Sequence, residues 1–110
     1  MGNQIEGFYE EGKQVLIIED LVSTGKSSLA VAQALKLAGL QIAGLVSIFN
    51  YGFDEAAIGF DVEGVKTRSL TDYPTLIKLA VEKGTVNTAQ QKTLVKWRED
   101  PAHWNAVSYF

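Results

Sequence analysis

A chain of 110 residues, 46% hydrophobic and 21% charged, has the composition of one ordinary globular unit, large enough for a single core. Its formal net charge of −3 leaves no electrostatic footprint for nucleic acid, and the lack of cysteine excludes disulfides and thiolate metal sites. A single histidine excludes a multi-histidine metal centre within one chain, and no apolar run approaches the roughly 18 residues of a membrane span, so a soluble cytoplasmic protein without nucleic-acid or membrane partners is expected.

Residues Gly2 to Gly12 make a polar lead-in with three glycines and room for a short strand at Gln4 to Glu6; the polar start at Met1 to Gln4 does not look like a signal peptide. Val15 to Glu19 is apolar and rich in β-branched residues up to its acid, the pattern of a buried strand. Ser27 to Ala38 places Leu29, Ala32 and Leu35 on one face of a helix, and Gly39 stands where a left-handed residue ends one. Gln41 to Phe49 reads as a second strand, with Ala43 and Gly44 small enough to admit a close helix. Two strands joined by a helix of this length predict a right-handed βαβ unit with parallel strands.

Phe53 to Phe60 reads as a short helix and Val65 to Leu70 as a third strand. Thr71-Asp72 is placed to cap a helix from about Pro74 to Lys83, with Leu76, Ile77 and Ala80 facing inward and Gly84 ending it. Thr88 to Gln91 fits a capping box for a last helix that reaches about Arg98 before Asp100-Pro101 stops it. No repeat or linker divides the chain, so residues 1–110 are expected to form part of one domain.

The chemistry concentrates between Val15 and Ser27. Four apolar residues lead into Glu19-Asp20; Leu21-Val22 follows, then Ser23-Thr24-Gly25-Lys26, and Ser27 opens the first helix. An acidic pair can hold sugar hydroxyls, and a small-residue loop at a helix start can hold a phosphate. A ligand that is both a ribose and a phosphate fits both halves. Gly25-Lys26-Ser27 also looks like the end of a nucleotide-binding P-loop, but that motif needs a glycine where Asp20 stands, and a carboxylate there would repel phosphates. A plain buried strand followed by a capped helix accounts for Val15 to Ile18 and for Ser27, but not for two adjacent acids at a strand's end.

The run closely resembles the phosphoribosyl pyrophosphate (PRPP) signature of type I phosphoribosyltransferases: four hydrophobics, two acids, two hydrophobics, Ser/Thr, Thr, Gly, a variable position, then Ser/Thr. Thr67 to Tyr73, Leu76-Ile77 and Leu94 to Trp104 are similar to the end of orotate phosphoribosyltransferase, as are Gly2 to Gly7 and Ile48 to Phe53. This resemblance implies an α/β, parallel-sheet, Rossmann-like fold, incomplete, with residues 1–110 as its C-terminal portion. The half implied to precede Met1 would carry the hood, the pyrophosphate loop and the catalytic loop.

By the same resemblance, Glu19 and Asp20 hold the ribose hydroxyls and favour the positive charge that develops on the sugar. Leu21 and Val22 complete the PRPP-binding run. Ser23 also touches orotate, and Thr24, Gly25, Lys26 and Ser27 cradle the 5′-phosphate. Lys26 stands where glycine or threonine is commoner; its ammonium either reinforces phosphate binding or stays solvated. Asn50-Tyr51 occupies the stretch where many members carry an arginine that contacts orotate. Mg²⁺ is implied as a cofactor bound with PRPP, no protein metal site is indicated, and a homodimer is implied. The expected reaction joins orotate to PRPP, giving orotidine monophosphate and pyrophosphate, with these residues inactive alone. A non-catalytic PRPP-binding module and a purine phosphoribosyltransferase are the alternatives. Trp97 and Trp104 are expected as core or interface anchors, His103 at the surface, and Tyr51 and Phe53 either at a pocket mouth or in the core.

Overall fold

The computed structural model describes residues 9–104, so the strand expected at Gln4 to Glu6 lies outside the described residues. Three strands alternate with helices: β1 (Gln14–Val22), α1 (Lys26–Leu37), β2 (Gln41–Asn50), α2 (Asp54–Glu63) and β3 (Thr67–Asp72). Then α3 (Tyr73–Glu82) and α4 (Thr88–Glu99) follow, and a short 3-10 turn at Pro101–His103. The strands form one parallel sheet in the order β1-β2-β3, as the α/β reading requires. No helix among the described residues is long and apolar enough to cross a membrane.

The core lies on the sheet face covered by α1 and α2. Ile17 and Leu45 from the sheet meet Ala32 of α1 and Ala56 and Phe60 of α2, with Leu29 and Leu35 packed around them. Each such large side chain removed from water contributes about 1.5–3 kcal/mol. Helix α1 ends in a Schellman turn: Gly39 has φ +84°, Leu40 N–H donates to Leu35 O at 3.0 Å, and Gly39 N–H donates to Lys36 O at 3.0 Å. At the rim, Gln33 Nε2 donates to Glu63 Oε1 at 3.0 Å and Lys36 donates to the same carboxylate, which holds it below the usual carboxylate range. The pairing register puts Leu16, Ile18, Ile48 and Leu70 together on the other sheet face, all exposed, Ile18 at 77%.

Several boundaries move for identifiable reasons. Strand β1 does not stop at Glu19, because its ladder with β2 continues through Leu21↔Phe49 and Val22↔Asn50. A change from apolar to acidic side chains does not interrupt backbone pairing. Strand β3 runs from Thr67 rather than Val65, whose amide instead closes α2 by donating to Phe60 O at 2.9 Å. Helix α2 accordingly extends to Glu63.

Helix α3 begins at Tyr73, with Asp72 Oδ1 accepting from Thr75 N–H at 2.9 Å, so Asp72 is the cap as expected. Its inward face is led by Tyr73 and Ile77, at 6% and 7% exposure, whereas Leu76, expected inward, is 48% exposed. Tyr73 and Ile77, four residues apart, define the inward face, and Leu76 stands at its edge. The capping box of α4 lies one residue earlier than expected: Asn87 Oδ1 accepts from Gln90 N–H at 2.8 Å, and Gln90 Oε1 accepts from Asn87 N–H at 3.0 Å. Asn is the stronger cap, and Gln90 stands at the reciprocal position.

Candidate phosphate and base site

Where β1 leaves the sheet, Ser23 and Thr24 lead into Gly25, which has φ +83° and is the first residue of the turn into α1. A Cβ at Gly25 would sit 3.1 Å from Ala56 Cβ and 3.4 Å from Phe60 Cε2. Glycine is therefore required twice, for its left-handed backbone and for the close approach of α2. Helix α1 has no side-chain cap and no acid in its first turn. No carboxylate side chain in its first turn offsets the positive end of its dipole. Thr24 Oγ1 accepts weakly from Lys26 N–H at 3.5 Å, and Leu29 N–H donates to Gly25 O at 2.8 Å.

Glu19 is half-buried and in register with Ser47, whose buried hydroxyl has no hydrogen-bond partner among the described residues. Asp20 is exposed, as are Leu21, Lys26 and Ser27, while Val22 is buried in the core. Lys26 Nζ lies 3.7 Å from Glu55 Oε1, an exposed pair that contributes little to stability. That pairing adds a third possibility to the two expected for Lys26.

A cleft of about 830 Å³ opens at the C-terminal ends of the strands, where parallel sheets place ligands. Leu21, Ser23 and Thr24 form one wall; Tyr51, Phe53 and Trp97 form the opposite one. Glu19, Asp20 and the Gly25–Ser27 stretch border this region without lining the cleft itself. Tyr51 stacks on Phe53 with ring planes 4° apart and centroids at 5.4 Å, and Trp97 approaches Tyr51 at 5.9 Å and Tyr73 at 5.7 Å. Tyr51 and Phe53 are thus pocket-mouth residues, and Trp97 anchors α4 to them. Trp104 lines a smaller recess beside Tyr73 and Leu94.

Two residues that local patterning did not single out hold this wall. Tyr73 Oη donates to Leu94 O at 2.9 Å, tying α3 to α4, and burial raises its phenol pKa above the ordinary value. Arg98 Nη1 donates to Tyr51 O at 3.3 Å and to Gly52 O at 2.8 Å, fixing the β2–α2 loop from α4. Sequence separations of this size leave no local signal; the only hint is a cation on a helix reaching back over the strand ends. His103 is exposed as expected, with Nδ1 2.9 Å from the Asp100 carboxylate. Among the described residues no group of three or more His, Cys, Asp or Glu is placed to hold a metal ion.

No protein-family model matches the chain. It is 46% identical over 105 residues to the orotate phosphoribosyltransferase of Bacillus caldolyticus, covering 96% of this chain and 51% of that protein. The chain is homologous to the orotate phosphoribosyltransferases. It spans about half the length of the curated orotate phosphoribosyltransferases it matches. Its fold superimposes on the UMP synthase of Leishmania donovani with a TM-score of 0.71 at 26% identity, over 84% of this chain and 21% of that one. It superimposes on a Mycobacterium tuberculosis orotate phosphoribosyltransferase, solved in complex with inorganic phosphate, with a TM-score of 0.57 at 28% identity, over 67% of this chain and 42% of that one. The parallel α/β sheet with its β1–α1 turn is the core of the type I phosphoribosyltransferase fold, and the orotate phosphoribosyltransferases share it.

Proposed function

We propose that the β1–α1 segment binds PRPP, and that the chain is the C-terminal, PRPP-binding portion of an orotate phosphoribosyltransferase. The observation that carries this reading is the α1 start: amides without a side-chain cap, held open by Gly25, directly after a strand that ends in Glu19-Asp20. The 5′-phosphate sits on the Thr24, Gly25, Lys26 and Ser27 backbone, where N–H groups and the helix dipole favour an anion. Glu19 and Asp20 accept from the ribose hydroxyls. Their negative charge stabilises the cationic sugar as the bond from its anomeric carbon to pyrophosphate breaks and the bond to a base nitrogen forms. Ser23, which lines the cleft, faces the base. That the Mycobacterium tuberculosis orotate phosphoribosyltransferase was solved in complex with inorganic phosphate supports phosphate recognition by a protein of this fold.

Mg²⁺ fits as an ion carried in with PRPP. It takes one or two carboxylates together with substrate phosphates and water, and Glu19 and Asp20 are the carboxylates at this end of the motif. Bound there, the ion would neutralise charge on the departing pyrophosphate. The protein's own residues hold the sugar and the 5′-phosphate and orient the anomeric carbon toward the cleft.

Residues 1–110 alone are proposed to lack turnover, because the basic residues nearest the motif in sequence, Lys13 before the strand and Lys26 at the phosphate cradle, are not placed for the pyrophosphate. Each missing donor to a developing charge costs on the order of a hundredfold in rate. The protein is further proposed to act as a homodimer; the apolar face of Leu16, Ile18, Ile48 and Leu70 supports burial against further polypeptide. An assay of orotate consumption with PRPP and Mg²⁺ tests the reading. The chain alone is expected to be silent, and mixing it with the N-terminal half of the Bacillus caldolyticus relative is expected to restore turnover. Robust turnover by the chain alone would contradict the division of labour. PRPP binding with no turnover in either mixture would favour a non-catalytic PRPP-binding module.

A further inference from the structure

We propose that Arg98 is the specificity-determining residue of the cleft, receiving the carboxylate of an anionic, planar base. This inference rests on the PRPP reading of the neighbouring motif and names what the other end of that site selects. The aromatic wall of Tyr51, Phe53 and Trp97 offers flat surface for a heterocyclic ring, facing the hydroxyls of Ser23 and Thr24. Neutral and anionic rings would both stack there, so shape does not discriminate between them.

Charge does. Asp54, Glu55, Glu99 and Asp100 line the cleft, and Arg98 is the one lysine or arginine among its lining residues. Glu55 is met by Lys26 at 3.7 Å, but Asp54, Glu99 and Asp100 keep the mouth negative. Among the charged side chains that line the cleft, Arg98 is the one that attracts a carboxylate on the base rather than repelling it.

The guanidinium is also positioned in advance. Nη1 is held by the carbonyls of Tyr51 and Gly52, at 3.3 and 2.8 Å. Gly52 has φ +73°, a left-handed backbone that favours glycine and turns its carbonyl to the guanidinium. An arginine fork has more N–H donors than these carbonyls take, and Nε and Nη2 extend the same rigid plane. Fixing the fork before the ligand arrives reduces the ordering cost of a charge-assisted hydrogen bond.

Orotate and uracil differ by one carboxylate and so isolate the effect. The full chain, labelled with ¹⁵N-arginine, is titrated with ribose 5-phosphate, then with orotate or uracil. The Arg98 Nε–H resonance, identified by its loss in Arg98→Lys, is expected to move with orotate and not with uracil. Calorimetry is expected to show orotate bound more tightly than uracil by about ten- to a hundredfold, the range of a hydrogen bond to a charged group. Arg98→Gln is expected to abolish that preference while ribose 5-phosphate still binds. A preference for orotate that survives Arg98→Gln would overturn the inference. So would an Arg98 resonance indifferent to orotate in wild-type protein that binds ribose 5-phosphate, a result that needs no folded variant. Failure of wild type to bind ribose 5-phosphate would overturn the PRPP reading, and this inference with it.

Discussion

The two walls of the cleft are built on opposite principles. The motif wall comes from consecutive residues, Leu21 to Ser27, and it is left unsatisfied: α1 has no side-chain cap and no acid in its first turn. The aromatic wall is assembled from the β2–α2 loop, α3 and α4, and hydrogen bonds tie these elements together. Asp72 caps α3, Asn87 and Gln90 cap each other across the start of α4, Tyr73 bonds Leu94, and Arg98 bonds the Tyr51–Gly52 carbonyls. Unused donors bind anions only if the surrounding structure does not collapse onto them. On the proposed reading, the paired wall supplies that rigidity and the uncapped wall the affinity.

The comparison breaks most visibly at Tyr73. Truncation to alanine removes a ring at 6% exposure and the hydrogen bond to Leu94, and is expected to cost about 3 kcal/mol or more in chemical denaturation. A loss below about 1 kcal/mol would mean that α3 and α4 do not form one packed wall. Next in size is Gly25→Ala, on the motif side. A left-handed backbone costs an ordinary residue about 1–2 kcal/mol. The added Cβ, 3.1 Å from Ala56 Cβ, must also push α2 aside. Reduced stability together with lost ribose 5-phosphate binding is expected; retained binding at wild-type affinity would show that the turn's geometry is not what holds the phosphate.

The smallest effect is a pH difference between the two helix starts. The hydrogen bond from Thr75 holds the Asp72 carboxyl below its ordinary pKa. A depressed carboxylate contributes stability that is fully present above its unfolded pKa and is lost as pH falls through the folded one. Denaturation midpoints followed from neutral pH into the acid range are expected to fall more for wild type than for Asp72→Asn, which keeps a capping oxygen but does not titrate. Equal slopes would mean that Asp72 contributes no linkage. The α1 start has no capping carboxylate and therefore no counterpart to this effect.

How much was legible in the sequence follows the same division. The strand–loop–helix of the motif, the parallel βαβ unit and the Gly39 turn are local or period-driven, and each stands where the pattern put it. The displaced boundaries run from one residue, at the starts of α3 and α4, to three, at the ends of β1 and α2. On α3 the inward pair is Tyr73 and Ile77, four residues apart, and Leu76 stands half-exposed at the edge of that face, so apolar spacing alone does not fix which side of the helix is buried. Thr88 with Gln91 also fits a capping-box pattern, but Asn87 with Gln90 competes better for the same role. Arg98 and the Tyr73–Leu94 bond depend on contacts between residues far apart in the chain, which periodicity does not encode. The exposed face of Leu16, Ile18, Ile48 and Leu70 was equally hidden: a continuous apolar run predicts a strand buried on both sides, and only one side is covered among the described residues.

Calorimetric titration of the purified chain with PRPP tests the central claim most directly. Wild type is expected to bind PRPP, and the Glu19→Gln/Asp20→Asn double variant is expected to lose most of that affinity while remaining folded. Equal PRPP binding by the two proteins, or tighter binding of ATP than of PRPP, would contradict the assignment of Glu19 to Ser27 as a ribose-and-phosphate site.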